Sequence, residues 1–203
     1  YISVKGKGGH GAMPHKCIDT VLAASQMIVS LQQLVSRNCP PNIPSVLTFG
    51  KMNTVGGATN IIPNEVKIEG TFRTFDETWR SSAHRLINHI ASATCNANGA
   101  LAEVTILKGY PCLINNEPLT AELKNAMAMY QGKDNVIDLD LRMTSEAFAF
   151  YSHEIPACFY RLGTANFAKG IASGVHTNTF DIEESALETG IGLMAWLAIC
   201  IKL

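Results

Sequence analysis

The segment Val66–Thr74 alternates strictly, with Val66, Ile68, Gly70 and Phe72 on one side and Lys67, Glu69, Thr71 and Arg73 on the other. A period of two sends successive side chains to opposite faces of a sheet, so one face must be covered while the other stays wet or faces a ligand. The period then changes. Asp76 is placed to cap a helix whose apolar stripe is Trp79, Ala83, Leu86, Ile87, Ile90 and Thr94, and Asn98-Gly99 closes it. A half-buried strand followed by an amphipathic helix commits this stretch to a layered unit of sheet and helix.

The same reading extends over residues 1–110. A strand is expected over Ile2–Lys7, and a helix from Asp19 to about Val35 with Ile18, Val21, Leu22, Ser25, Ile28 and Gln32 at three-to-four spacing, stopped by Asn38-Cys39-Pro40-Pro41. Further strands are expected over Ser45–Met52 and Ala102–Lys108. The order βαββαβ, with both helices on one side of an antiparallel sheet, is ferredoxin-like. At Tyr110-Pro111 the texture changes, which sets a boundary between domains at 1–110 and 111–203. The second stretch reads as a helix over Leu119–Tyr130, a short strand near Val136, a helix start over Ser145–Tyr151, a strand of buried type over Ala157–Leu162 and a last helix from Glu183. Two short strands cannot make a sheet covered on both faces. The expectation is an α/β chain: a complete α+β unit followed by an incomplete piece of an α/β domain.

Lys and Arg total 16 against 17 Asp and Glu, a formal charge of −1 over 203 residues. No global field gathers nucleic acid or an anionic membrane. The six cysteines are scattered without a C-x-x-C pair, which suggests reduced thiols in a cytoplasmic protein. The apolar stretch Gly190–Leu203 is shorter than the roughly 20 residues of a membrane span and is expected as a buried helix. Tyr1 is not a start methionine and Ile2 and Val4 already read as strand, so the chain reads as an excerpt.

Two glycine-paired segments, GGHGAMPH (Gly8–His15) and GGATNIIPNEVKIEGTFRT (Gly56–Thr74), set polar side chains between backbone-permissive residues. Together they offer His10, Asn60 and Arg73 near strand ends, where the three can converge on an anionic or carbonyl group. Arg73 brings a planar bidentate fork suited to a carboxylate. His176 lies in a loop before a helix start, and such a histidine taken alone is usually just solvated. His84 and His89 are five apart, about 140° around a helix of 3.6 residues per turn, and cannot chelate together. H-x-x-x-H, H-E-x-x-H and H-x-D are all absent.

These two segments resemble the lid, or dimerisation, domain of the metal-dependent amidohydrolases that include hippurate hydrolase, indole-acetyl-amino-acid hydrolases, aminoacylase and glutamate carboxypeptidase. GVHTNTFDIEESALETG (Gly174–Gly190) resembles that family's C-terminal metal-ligand segment, and TSEAFAFYSHEIPACFYRLG (Thr144–Gly163) its penultimate one. The resemblance implies a lid over 1–110, inserted in a metal-bearing α/β domain of which 111–203 is the C-terminal part. It implies that His176 is one ligand of a two-metal site of zinc or manganese, that His10 polarises the scissile carbonyl or its oxyanion, commonly in the partner subunit, and that Asn60 and Arg73 bind the carboxylate of an N-acyl amino acid. His15 is given a local structural role only. Glu146 stands where relatives carry a Glu-Asp pair, and Ala147 replaces the second acid, which weakens the support around the metals. The missing ligands and general base would lie upstream, so none of the two metals per complete subunit need be held by this stretch.

The expected activity is hydrolysis of an N-acyl amino acid by a homodimer paired through its lid. Two other readings stand beside it: a non-catalytic dimerisation and binding module, and a dipeptidase or deacetylase of the same family.

Overall fold

The computed structural model describes residues 1–144 and 146–201. The chain divides into two compact units. One is Tyr1–Cys112 with a short stretch from Met143; the other is Leu113–Arg142 with the chain from Glu146 on. The return at Met143 is absent from the sequence expectation of two contiguous segments. Arg73 accounts for it, its Nη1 donating to the Met143 carbonyl at 3.1 Å.

The first unit runs β1 (Ile2–Lys5), β2 (Gly9–His10), α1 (Thr20–Leu31), β3 (Ser45–Val55), β4 (Ile61–Ile62), β5 (Glu65–Thr74), α2 (Glu77–Ala97) and β6 (Leu101–Val104). Four strands form an antiparallel sheet in the order β3-β5-β1-β6, the ferredoxin-like arrangement. The β1–β5 register carries on one step beyond Lys5, the Gly6 N–H donating to the Asn64 carbonyl at 2.9 Å. The alternation of β5 is realised: Val66 and Ile68 are buried with Val4 against Met27, Leu31 and Ala83 of the helices. On the wet face Lys51 pairs with Glu69 and Lys5 with Glu103. Asp76 caps α2 by accepting from the Trp79 N–H, and Gly99 takes φ 72° just beyond its end.

α1 buries a different face from the one its large apolar residues suggest. Thr20, Ala23, Ala24, Met27 and Leu31 point inward, while Val21 and Leu22 are 38% and 51% exposed. Small side chains let α1 approach α2 closely, with Ala91 and Cys95 also fully buried, so tight packing selects alanine over bulk. Thr20 begins the buried stripe because its hydroxyl donates to the Pro63 carbonyl at 2.9 Å, which satisfies both groups.

The second unit contains α3 (Glu117–Gln131), α4 (Ala149–Glu154) and α5 (Ser185–Cys200). Asn116 caps α3 by accepting from the Leu119 N–H at 3.1 Å. Leu123, Ala126 and Met127 pack on Leu193 and Leu197, and the Trp196 indole donates to the Ala126 carbonyl at 2.9 Å.

Neither strand expected here forms among the described residues. Lys133–Asn135 is a 3-10 turn leading into Val136. Residues 157–162 join no strand ladder, and backbone groups of Ala157 and Phe159 bond to Asn116 and Asn115. The Phe159 N–H donates to Asn115 Oδ1 at 2.8 Å, Asn115 Nδ2 donates to the Phe159 carbonyl at 3.0 Å, and the Asn116 N–H donates to the Ala157 carbonyl at 2.8 Å. A side-chain amide stands where a neighbouring strand would be needed.

The helix start expected at Ser145 falls on a residue outside those described, and α4 begins at Ala149. The C-terminal helix is only half-covered: Leu193 and Leu197 are buried against α3, whereas Ile191, Met194 and Ile199 are exposed. Lys202 and Leu203 of that stretch lie outside the described residues. No helix among the described residues is long and apolar enough to cross a membrane, and all six cysteines are unbridged.

Candidate functional site

β2 and β4 pair antiparallel, with Gly9 opposite Ile62 and His10 opposite Ile61. Beyond them the Gly11 N–H donates to the Asn60 carbonyl at 2.7 Å. The two glycine-paired segments are therefore one structure, in which His10 lies opposite Ile61 and Asn60 opposite Gly11. The glycines serve it differently. A Cβ at Gly8 would collide with the Ile62 carbonyl oxygen, so this position needs close approach, whereas Gly57 at φ 92° needs the left-handed region. Asn64 fastens the pair, its Oδ1 accepting from the Gly8 N–H at 2.8 Å. Sequence reading assigned Asn64 no role; its signal was an amide acceptor in a turn just before a strand.

His10 is exposed, and its Nδ1 accepts from the Ala12 N–H at 3.1 Å. A ring nitrogen that accepts carries no proton, so the neutral imidazole bears its proton on Nε2 and presents a donor. The His10 carbonyl accepts from the Met13 N–H at 2.8 Å, and Pro14 opens the 3-10 turn Pro14–Lys16, in which His15 is exposed.

Arg73 is not brought to this place within one chain. β1 and β5 are antiparallel with Lys5 opposite Glu65, so the chain leaves toward His10 from the Glu65 end of β5. Arg73 stands eight residues along that strand, about 27 Å away at roughly 3.4 Å per residue. The expected convergence of His10, Asn60 and Arg73 fails within one subunit because Arg73 lies near the far end of the ten-residue β5.

In the second unit His176 is exposed and is the one non-glycine residue with positive φ among those described, at 66°. Such a conformation costs on the order of 1–3 kcal/mol and persists where the surroundings over-determine it. Thr177 Oγ1 donates to the Gly174 carbonyl at 2.8 Å, and the Ser173 and Thr179 hydroxyls meet at 2.8 Å, which fixes the turn. Glu146 makes a helix-start contact, its carboxylate accepting from the Phe148 N–H at 3.4 Å, with Ala147 exposed beside it. Among the described residues no three His, Cys, Asp or Glu side chains are grouped to hold a metal ion. His176 offers one ligand where a catalytic site takes about three, so the residues of this chain do not make up such a centre alone.

Charge is tuned at two further positions. The Lys169 ammonium and then the Asn166 amide, both hydrogen-bonded to Glu183, hold its carboxyl below the usual range. Burial, and then the Arg80 and Lys108 charges, lower His84.

Residues 8–199 match the model of peptidase family M20/M25/M40. IAA-amino acid hydrolase ILR1-like 4 of Arabidopsis thaliana is 35% identical over 96% of this chain and 45% of its own length. N-acetyl-L-cysteine deacetylase of Bacillus subtilis is 37% identical over 92% and 43%. The solved structure of a dinuclear metal-binding M20 peptidase from Bacillus subtilis matches with a TM-score of 0.71 and 25% identity, over 98% of this chain and 48% of its own. The chain spans about half the length of the curated relatives it matches. A family match over residues 8–199, with relatives more than 30% identical across nearly the whole chain, leads to one conclusion: the chain belongs to peptidase family M20/M25/M40.

Proposed function

We propose that this chain is the lid, residues 1–110, and the C-terminal part of the catalytic domain, residues 111–203, of a metal-dependent amidohydrolase that cleaves N-acyl amino acids. The observation that carries the proposal is the exposed His10 ring, held at Nδ1 by the Ala12 N–H in the paired glycine segments, with Nε2 left to donate. A donor fixed before the reaction can stabilise a developing oxyanion by about 3 kcal/mol. Relatives named for an IAA-amino acid and for N-acetyl-L-cysteine support the substrate class.

Arg73 and Asn60 bind the substrate carboxylate, the guanidinium by a bidentate fork. Since β5 separates Arg73 from His10 and Asn60 in one chain, the working site takes His10 and Asn60 from one copy and Arg73 from another, which makes the enzyme a homodimer paired through the lid. His176 is one ligand of a pair of divalent cations, zinc or manganese, whose Lewis acidity the complete enzyme uses. The remaining ligands and the general base belong to the part of the relatives' length that this chain does not span. Glu146 supports the ligand shell through its turn. The unbridged thiols and balanced charge fit a cytoplasmic enzyme acting on a small molecule, without nucleic acid or membrane partners.

The test is hydrolysis of a panel of N-acyl amino acids, with zinc or manganese added, by the protein extended upstream to its natural start. His10→Ala in that protein is expected to lower turnover roughly a hundredfold or more with metal content unchanged. Unchanged turnover contradicts the role of His10, and no hydrolysis by the wild type favours a binding module.

A further inference from the structure

We infer that Glu183 is a positioning residue that closes residues 164–183 into a loop and thereby holds His176 in its strained turn. The inference rests on the reading of His176 as a metal ligand. Three closures are nested in this stretch. At its base the Glu183 N–H donates to the Thr164 carbonyl at 2.8 Å. Within it, Asn166 and Ile171 exchange both backbone bonds, at 2.7 and 2.9 Å, around the turn Phe167–Lys169. Two residues on, the Ser173 hydroxyl meets Thr179 and seals the inner turn with His176 at its tip.

The Glu183 carboxylate ties the base to the hairpin. It accepts from Asn166 Nδ2 at 2.6 Å, and Lys169 Nζ lies 2.9 Å from each of its oxygens. Its side chain is 14% exposed against 63% for Lys169, so the acid is the covered member and the lysine folds over it. Remove the carboxylate, and the hairpin keeps its own two backbone bonds but loses its side-chain tie to the base. The inner turn, two residues from the hairpin, then loses the frame that makes a left-handed histidine tolerable. Groups that orient a ligand from behind set metal affinity about as strongly as tenfold to a hundredfold.

The experiment has two readouts. In the 203-residue chain, Glu183→Ala is expected to speed amide exchange at Phe180 and at position 183 itself, whose N–H donates to the Thr164 carbonyl, at least about tenfold, with Ile171, α3 and α5 unchanged. In the upstream-extended protein the same substitution is expected to weaken metal retention against a chelator by roughly tenfold or more, at an unchanged melting temperature. Glu183→Gln, which keeps one acceptor oxygen, should restore part of both. Unchanged exchange, or faster exchange with undiminished metal retention, overturns the inference. His176→Ala provides the separate control: full metal content in that variant refutes the ligand reading itself, and the exchange result then decides alone whether Glu183 shapes the loop.

Discussion

In the first unit β1 lies between β5 and β6, and Ile2 and Val4 are almost wholly buried; in the second, residues 157–162 join no strand ladder and bond to Asn115 and Asn116. α1 and α2 have a sheet to cover, and the sheet has two helices to cover it. α3 and α5 have mainly each other, and α5 leaves Ile191, Met194 and Ile199 outside. An amphipathic element is completed only by an opposing layer, so one part of a chain can be finished while the next is not. Under the proposed reading the second unit obtains its sheet from the rest of a catalytic domain.

The largest expected effect is in hydrogen exchange across the whole chain. Amides of β1 and β5 should exchange on the order of a hundredfold or more slowly than those of α5; equal protection would break the contrast. Next, Leu31→Ala should cost the first unit about 2–5 kcal/mol in denaturant unfolding, whereas Ile191→Ala should stay within about 0.5 kcal/mol. A comparable loss for Ile191 would mean that the outer face of α5 is already packed. Thr20→Val should cost about 1–3 kcal/mol, because the Pro63 carbonyl loses its buried donor. It should also loosen the Gly6 and Gly8 amides in exchange, and protection of those amides would show the glycine segments holding themselves.

The smallest effect concerns pH. Burial lowers His84 from its ordinary 6.5, so the folded chain binds this proton less readily than the unfolded chain. Its contribution is therefore full above the unfolded value and is lost as pH falls through the folded one. His84→Gln should flatten the acid side of the melting curve of the first unit, and an unchanged slope would remove His84 as its cause.

β5 and the two ends of α2 were legible in the sequence because alternation and caps are local: Val66 to Arg73, Asp76 and Gly99 act on immediate neighbours. The buried face of α1 was not, since Ala23 and Ala24 gain their place from what they approach and not from their own bulk. Ala157–Leu162 reads as a strand by composition, but a strand also needs a partner, which composition does not contain. His10 was legible as a candidate because Gly9 and Gly11 flank it, and Asn60 because it follows the Gly56-Gly57 pair. Their separation from Arg73 was not, because it follows from the length and direction of β5. The strain at His176 and its link to Glu183 come from a loop closed over residues 164–183, beyond the reach of any short motif.

The central claim is that one copy supplies His10 and Asn60 to the Arg73 of another. Mixing His10→Ala and Arg73→Ala subunits of the upstream-extended enzyme tests it most directly, since each variant alone should be nearly inactive toward an N-acyl amino acid. Random pairing would give mixed dimers with one intact site each, so the account predicts recovery of about a quarter of wild-type activity. No recovery, from subunits shown to exchange, would mean that His10 and Arg73 act within one chain and would contradict the account.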